Sequence, residues 1–248
     1  MTASRYTVVT MASQSTSGSF RSTGAPEVRV SQEQQGLEAL DTREQLKRLL
    51  EREVANKPFS ELSAVTYQHR GSQLAGHLLL DTLEDAGFGI DDFDAVGALT
   101  AASIPLAISM LQAAASRGQD LDAFVMDFVY PSIKGPSIQG KRVILLDAWL
   151  SEKSYVQTSS LVTLRNGNEL GLDFSILGHE GAQVLGIAAL IGSTPSVEGI
   201  EVVNPLTEEG HMLPFIRVYD EQEFKLGTAR ESAAGDGDDG GASGEVEE

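Results

Sequence analysis

Cysteine is absent from all 248 residues, which excludes disulfides and thiolate metal sites. Basic residues are scarce: 18 Lys and Arg face 36 Asp and Glu, a formal net charge of −18. Polyanion binders need a basic face, because phosphate contacts supply most of their affinity, and no such stretch is visible; no nucleic-acid partner is expected. Long apolar runs are missing too. None approaches the roughly 20 residues that a membrane span needs, and the opening Met1-Thr-Ala-Ser-Arg-Tyr-Thr-Val-Val-Thr-Met11 has too short an apolar run for a signal peptide. These absences predict a cytoplasmic protein with no membrane partner. The histidines, His69, His77, His179 and His211, lack ligand spacing, so they read as surface or cap residues and no metal is expected.

What is present is ample apolar material for a core, at 41% of the chain. It is unevenly spread. Residues 1–36 are rich in Ser, Thr and Gln without apolar periodicity, and residues 231–248 hold seven acids and no base. Neither stretch can bury enough to offset its ordering entropy, so both are expected to be disordered arms around one domain at 37–230. The acidic tail reads as a solubilising appendage or a docking segment for a basic partner.

Within the domain, Asp41-Thr42 followed by Gln45 reads as a capping box, and Leu46, Leu49, Leu50 and Val54 form one stripe of a helix over 42–55. A second helix is predicted over 72–86, with Leu74, Leu78, Leu79 and Leu83 inward and Gly87 closing it. Short apolar runs then alternate with helical ones: strands at 95–99, 123–128, 143–149 and 184–191, and a helix at 105–117 ended by Gly118. Strands without polar alternation argue for a parallel sheet covered on both faces, with ligands at the strands' carboxyl ends. Between 155 and 177, alternation on both sides of Asn166-Gly167 favours a β-hairpin; the rival is two short helices broken there.

Three stretches carry a family likeness: Asp92-Phe-Asp-Ala-Val-Gly-Ala-Leu-Thr-Ala-Ala-Ser-Ile-Pro-Leu-Ala107, Ile133-Lys-Gly-Pro-Ser-Ile-Gln-Gly-Lys-Arg-Val-Ile-Leu-Leu-Asp147 and Gly181-Ala-Gln-Val-Leu-Gly-Ile-Ala188. With Arg117 to Val125 and Leu213 to Tyr219 they run in one order across most of 42–227, apart from 155–177, and the chain resembles orotate phosphoribosyltransferases, above all the actinobacterial type. The resemblance implies an α/β, parallel-sheet type I phosphoribosyltransferase-like (Rossmann-like) domain. It also implies a small-residue loop at Thr100, Ala101, Ala102 and Ser103 lying against pyrophosphate, and an acidic pair opening at Asp147 that holds ribose hydroxyls.

The chain departs from that pattern in four places. After Asp147 the second acid is Ala148, and the glycine-rich phosphate loop is replaced by Ser151-Glu152-Lys153-Ser154-Tyr155. A fixed carboxylate about 4 Å from a phosphate costs roughly 4 kcal/mol at an effective dielectric near 20, which Lys153 would partly offset. Met126-Asp127 stand where a basic pair belongs, and Phe128-Val-Tyr-Pro-Ser132 is too short for the family's mobile lid, leaving Lys134 as the nearby cation. Gly192-Ser193-Thr194 replace the Asp-Arg whose guanidinium would pair with the orotate carboxylate. The hood between the first two helices is compressed around Lys57 and Phe59.

No catalytic residue is therefore assigned. Thr100, Ala101, Ala102, Ser103, Asp147, Ser151, Lys153 and Ser154 are candidates for binding an anion or sugar phosphate, the first four through backbone N–H groups at a helix start. Loss of phosphate loop, lid and base pocket compounds, because each supplies a distinct part of transition-state stabilisation. The expected function is a catalytically inactive relative acting as a binding, scaffolding or regulatory module, through self-association or pairing with a protein partner, or with a small anionic ligand in the cleft. The alternative is a divergent active enzyme using phosphoribosyl diphosphate and Mg, with Asp147, Ser151, Lys153 and Ser154 as a variant site and Lys134 supplying charge. No other cofactor is expected.

Overall fold

A computed structural model describes residues 39–54, 62–127, 132–150, 163–165, 169–171, 175–193, 199–203 and 210–224. Thr42–Val54 form helix α1, Ser63–Thr66 a single turn α2, and His69–Asp85 helix α3. Asp41, one residue before the predicted box, caps α1 by accepting from the Glu44 N–H at 2.8 Å, while the Gln45 side chain turns back to the Leu40 carbonyl. Helix α3 starts three residues earlier than its apolar stripe suggests, because the Gln68 side chain accepts from the Gly71 N–H and caps it. A polar residue doing a cap's work is invisible to apolar periodicity.

The remaining elements are β1 (Ala95–Ala98), α4 (Ile104–Ser116), β2 (Asp122–Asp127), β3 (Ser132–Lys134), β4 (Arg142–Leu150), β5 (Thr163–Arg165), β6 (Glu169–Gly171), α5 (Ser175–His179), β7 (Gln183–Gly192), β8 (Ile200–Val203), β9 (Gly210–Leu213) and β10 (Phe215–Asp220). The main sheet runs β10-β7-β4-β1-β2-β3, parallel throughout except for the antiparallel edge strand β3. Helices α3 and α4 end at Gly87 and Gly118, whose φ of +90° and +73° only glycine adopts without strain. A second sheet has the order β5-β6-β8-β9. Its β5–β6 pair is antiparallel across residues 166–168, so the hairpin forms and the two-helix rival falls. Strands β3, β8, β9 and β10 are short or polar on one face and were not legible as strands.

Strand β4 is buried from Val143 to Leu150 because helices cover one face and the second sheet the other. Leu46, Leu50, Leu79 and Leu83 pack with Ile144, Leu146 and Ala148 on the helix side. Val143, Leu145 and Ile187 pack with Ile200 and Val202 on the other. Each fully buried aliphatic side chain contributes about 1.5–3 kcal/mol, so this strand anchors both cores. The arm 1–36, the tail 231–248, Lys57 and Phe59 lie outside the described residues.

Candidate functional site

At the carboxyl end of β1 the chain enters a 3-10 turn, Ala101–Ser103, and then α4, with Pro105 in its first turn. The turn closes on itself. The Thr100 N–H donates to Ser103 Oγ at 3.1 Å, and the Ser103 hydroxyl donates back to the Thr100 carbonyl at 2.9 Å. Ser103 is fully buried, whereas Ala101 and Ala102 are exposed. The Thr100 hydroxyl reaches across to β4 and donates to Asp147 Oδ1 at 3.0 Å, where the Ala148 N–H also donates at 2.7 Å. Thr100, Ser103 and Asp147 thus form one connected group between the end of β1 and the adjacent strand β4.

Asp147 is only 3% exposed, and its Oδ2 is buried without a hydrogen-bond partner among the described residues. Burial pushes its carboxyl up to about 6, against the opposing pull of the Thr100 hydroxyl and the Ala148 N–H. Beyond it the chain does not turn out into a loop. Ala148 and Trp149, adjacent in sequence, both join the helix-side core, and β4 stays paired with β7 to Leu150↔Gly192. The ladder runs on where the Ser193 N–H donates to the Leu150 carbonyl at 3.0 Å. Trp149, 6% exposed, is a core residue. Ser151, Lys153 and Ser154 lie outside the described residues.

Two further positions bear on the site. Lys134 sits on edge strand β3 with its ammonium 3.8 Å from Asp127, and β1 and β2 stand between it and β4. It cannot supply charge beside Asp147, because three strand spacings of about 4.8 Å each separate the two strands. Gly192 packs against the Phe215 ring, whose Cζ lies 2.5 Å from where a Cβ would stand, so a side chain there would have to displace the ring. Among the described residues no group of His, Asp or Glu is placed to hold a metal ion, and no helix is long and apolar enough to cross a membrane.

The parallel sheet, with a small-residue turn after β1 and a buried acid on the adjacent strand β4, defines a type I phosphoribosyltransferase fold. A phosphoribosyltransferase from Corynebacterium diphtheriae shares it with a TM-score of 0.52 at 22% identity, over 75% of this chain and 99% of that one. The Mycobacterium tuberculosis orotate phosphoribosyltransferase in complex with inorganic phosphate gives 0.50 at 22% identity, over 76% and 94%. No family model matches the chain. The orotate phosphoribosyltransferase of Streptomyces avermitilis, however, is 31% identical over 175 residues, 68% of this chain and 82% of that protein. The Streptomyces coelicolor enzyme is 30% identical over the same shares. The chain belongs to the orotate phosphoribosyltransferase family.

Sequence reasoning missed one feature. Gln45, His69, Arg70, Gln73 and His77 line an open groove of about 600 Å3 between α1 and α3. The signal was available in the spacing of 69, 73 and 77, which puts three polar side chains on one helix face.

Proposed function

We propose that this member of the family does not catalyse phosphoribosyl transfer and instead serves as a binding, scaffolding or regulatory module, by pairing with itself or with a related chain. The reading rests on the surroundings of Asp147. The residue at the position of the family's first sugar-binding acid is inside the core, hydrogen-bonded to Thr100, and followed by Ala148 and Trp149 in a strand that continues to Leu150. A carboxylate that must bind ribose hydroxyls needs access to them, and this one has none. Gly192, packed against the Phe215 ring where the family carries an acid before its base-pairing arginine, supports the same reading for the base end of the site.

The second reading, an active phosphoribosyltransferase of the orotate type, draws on the names of the Streptomyces relatives. It would require Asp147 to accept the Mg-bound diphosphate substrate. Asp147 Oδ2 is an orphaned oxygen, yet Ala148 in place of a second acid leaves no other carboxylate beside it on the strand. The described residues do not fit a metal-held sugar diphosphate.

Calorimetric titration with phosphoribosyl diphosphate and Mg, at near-physiological and at molar KCl, tests the proposal. Neither heat nor thermal stabilisation at millimolar ligand is expected. A micromolar, Mg-dependent isotherm that disappears in Asp147→Ala would overturn it and make turnover with orotate the next assay.

A further inference from the structure

The enclosed Asp147 carboxyl has one oxygen served and the other bare. Oδ1 accepts from the Thr100 hydroxyl and the Ala148 N–H, whereas Oδ2 has no hydrogen-bond partner among the described residues. Once ionised, the group therefore holds a charge that no donor meets at Oδ2, and burial favours the protonated form. The elements around it bring no free charge to bear. Ala189 stands opposite on β7, and Arg217, next in that row on β10, is held by Asp220 at 2.8 Å. Helix α4 carries no titratable residue. Beyond β1, Asp127 on β2 pairs with Lys134 on β3 at 3.8 Å. His179 is exposed and precedes β7 at the other end of the sheet, and Glu201 is half-buried in the second sheet.

From Asp147 a chain of hydroxyls leads into the turn that opens α4. Ser103 has one hydroxyl proton and two acceptors in reach: the Thr100 carbonyl at 2.9 Å, which takes it, and Thr100 Oγ1 at 3.4 Å. Thr100 Oγ1 gives its own proton to Asp147. When the carboxyl loses its proton to solvent, that bond becomes charge-assisted, roughly twice as strong as a neutral one, and the polarised Thr100 oxygen becomes the better acceptor. The Ser103 proton then swings from the carbonyl to Thr100 Oγ1. The turn keeps the Ser103 N–H bond to the Thr100 carbonyl and the Thr100 N–H bond to Ser103 Oγ, each 3.1 Å, but loses its third closure. We infer that Asp147, Thr100 and Ser103 form a pH-operated relay in which ionisation of the buried carboxyl loosens the turn at the start of α4. Ala101 and Ala102 stand exposed on that turn, so the surface offered after β1 differs between acid and neutral solution. The inference rests on the same enclosed carboxylate as the proposed function, yet holds whether or not phosphoribosyl diphosphate binds.

Nuclear magnetic resonance of the full chain without ligand, across pH 4–8, tests the relay. The Asp147 carboxyl carbon and the Thr100 carbonyl carbon are expected to titrate with one shared midpoint near 6. Above it the Thr100 and Ser103 amides should exchange roughly threefold faster or more, once the ordinary pH dependence of exchange is divided out, as loss of one neutral hydrogen bond implies. In Thr100→Val the carboxyl should still titrate while exchange in the turn no longer follows it, and Thr100→Ser should restore the coupling. Asp147→Asn should leave turn exchange flat. Ser103→Ala, which breaks the relay from its other end, should give a turn indifferent to the charge on Asp147. An Asp147 midpoint in the ordinary carboxylate range overturns the inference. So does turn exchange that ignores the titration in the unmodified chain, or that follows it equally in Thr100→Val or Ser103→Ala.

Discussion

The Thr100 hydroxyl donates to Asp147 Oδ1 at 3.0 Å and joins the end of β1 to the interior of β4 across 47 residues of sequence. The bond is made by a residue type chosen for a turn and a carboxylate placed in a core. Desolvation still dominates, and the Asp147 carboxyl stays up at about 6.

That shift has a definite sign. A folded pKa raised above the ordinary 3.8 means that the folded state keeps its proton where the unfolded chain has lost it. The stability tied to this group is therefore full below pH 4, declines as pH rises towards 6, and is flat above. At 1.36 kcal/mol per unit the loss is on the order of 3 kcal/mol. Asp147→Asn should relieve part of it, gaining about 1–2 kcal/mol at pH 7.5 and little at pH 4. Chemical denaturation of both proteins across pH 4–8 measures the difference; a pH-independent gap would refute the buried charge.

Arg43 and Tyr219 form a second long-range tie. The guanidinium lies 4.5 Å from the ring centroid, the Tyr219 hydroxyl donates to the Arg43 carbonyl at 2.6 Å, and Arg43 also donates to the Val218 carbonyl. Tyr219→Phe removes only the hydroxyl and should cost about 1 kcal/mol, Arg43→Ala about 2 because the ring contact and the Glu223 pair go with it. Urea midpoints at constant m-value decide this, and equal losses for the two variants would contradict it.

In β1, Gly97 lies under the Phe124 ring: a Cβ there would stand 2.2 Å from Phe124 Cζ. Gly97→Ala should destabilise by about 1–3 kcal/mol through overpacking. Phe124→Leu, harmful alone, should recover part of that loss in the double variant. Additive losses measured by thermal unfolding would place the strain elsewhere.

An excess of 36 acidic over 18 basic residues makes the folded state repel itself at low ionic strength. Raising KCl from about 0.1 to 2 M shortens the screening length from about 10 to 2–3 Å and is expected to raise the unfolding temperature by several degrees. A flat or falling curve would mean that the paired charges, such as Arg142 with Asp94 at 2.9 Å, already balance the surface.

Much of the fold was legible because its signals are local. The Leu46 and Leu50 stripe, the apolar runs at 143–149 and 184–191, and glycines 87 and 118 each report on their own neighbourhood, and all of them took the expected form. The capping of α3 by Gln68 and the strand character of 132–134 and 210–213 were not legible, since a polar cap and an edge strand carry no apolar period. Within the site, Thr100, Ser103 and Asp147 were found together, whereas Lys134 belongs to the far edge of the sheet.

The amino-acid sequence by itself determined the family, the two-faced parallel sheet and the replacement of the acid after Asp147 by Ala148, because residue identity and local period are written directly in the chain. Only the tertiary structure decided that Asp147 is enclosed rather than displayed, and that Gln45 and Arg70 share a groove. Solvent access and contacts between residues far apart in sequence arise when strands and helices pack, and no local pattern encodes them.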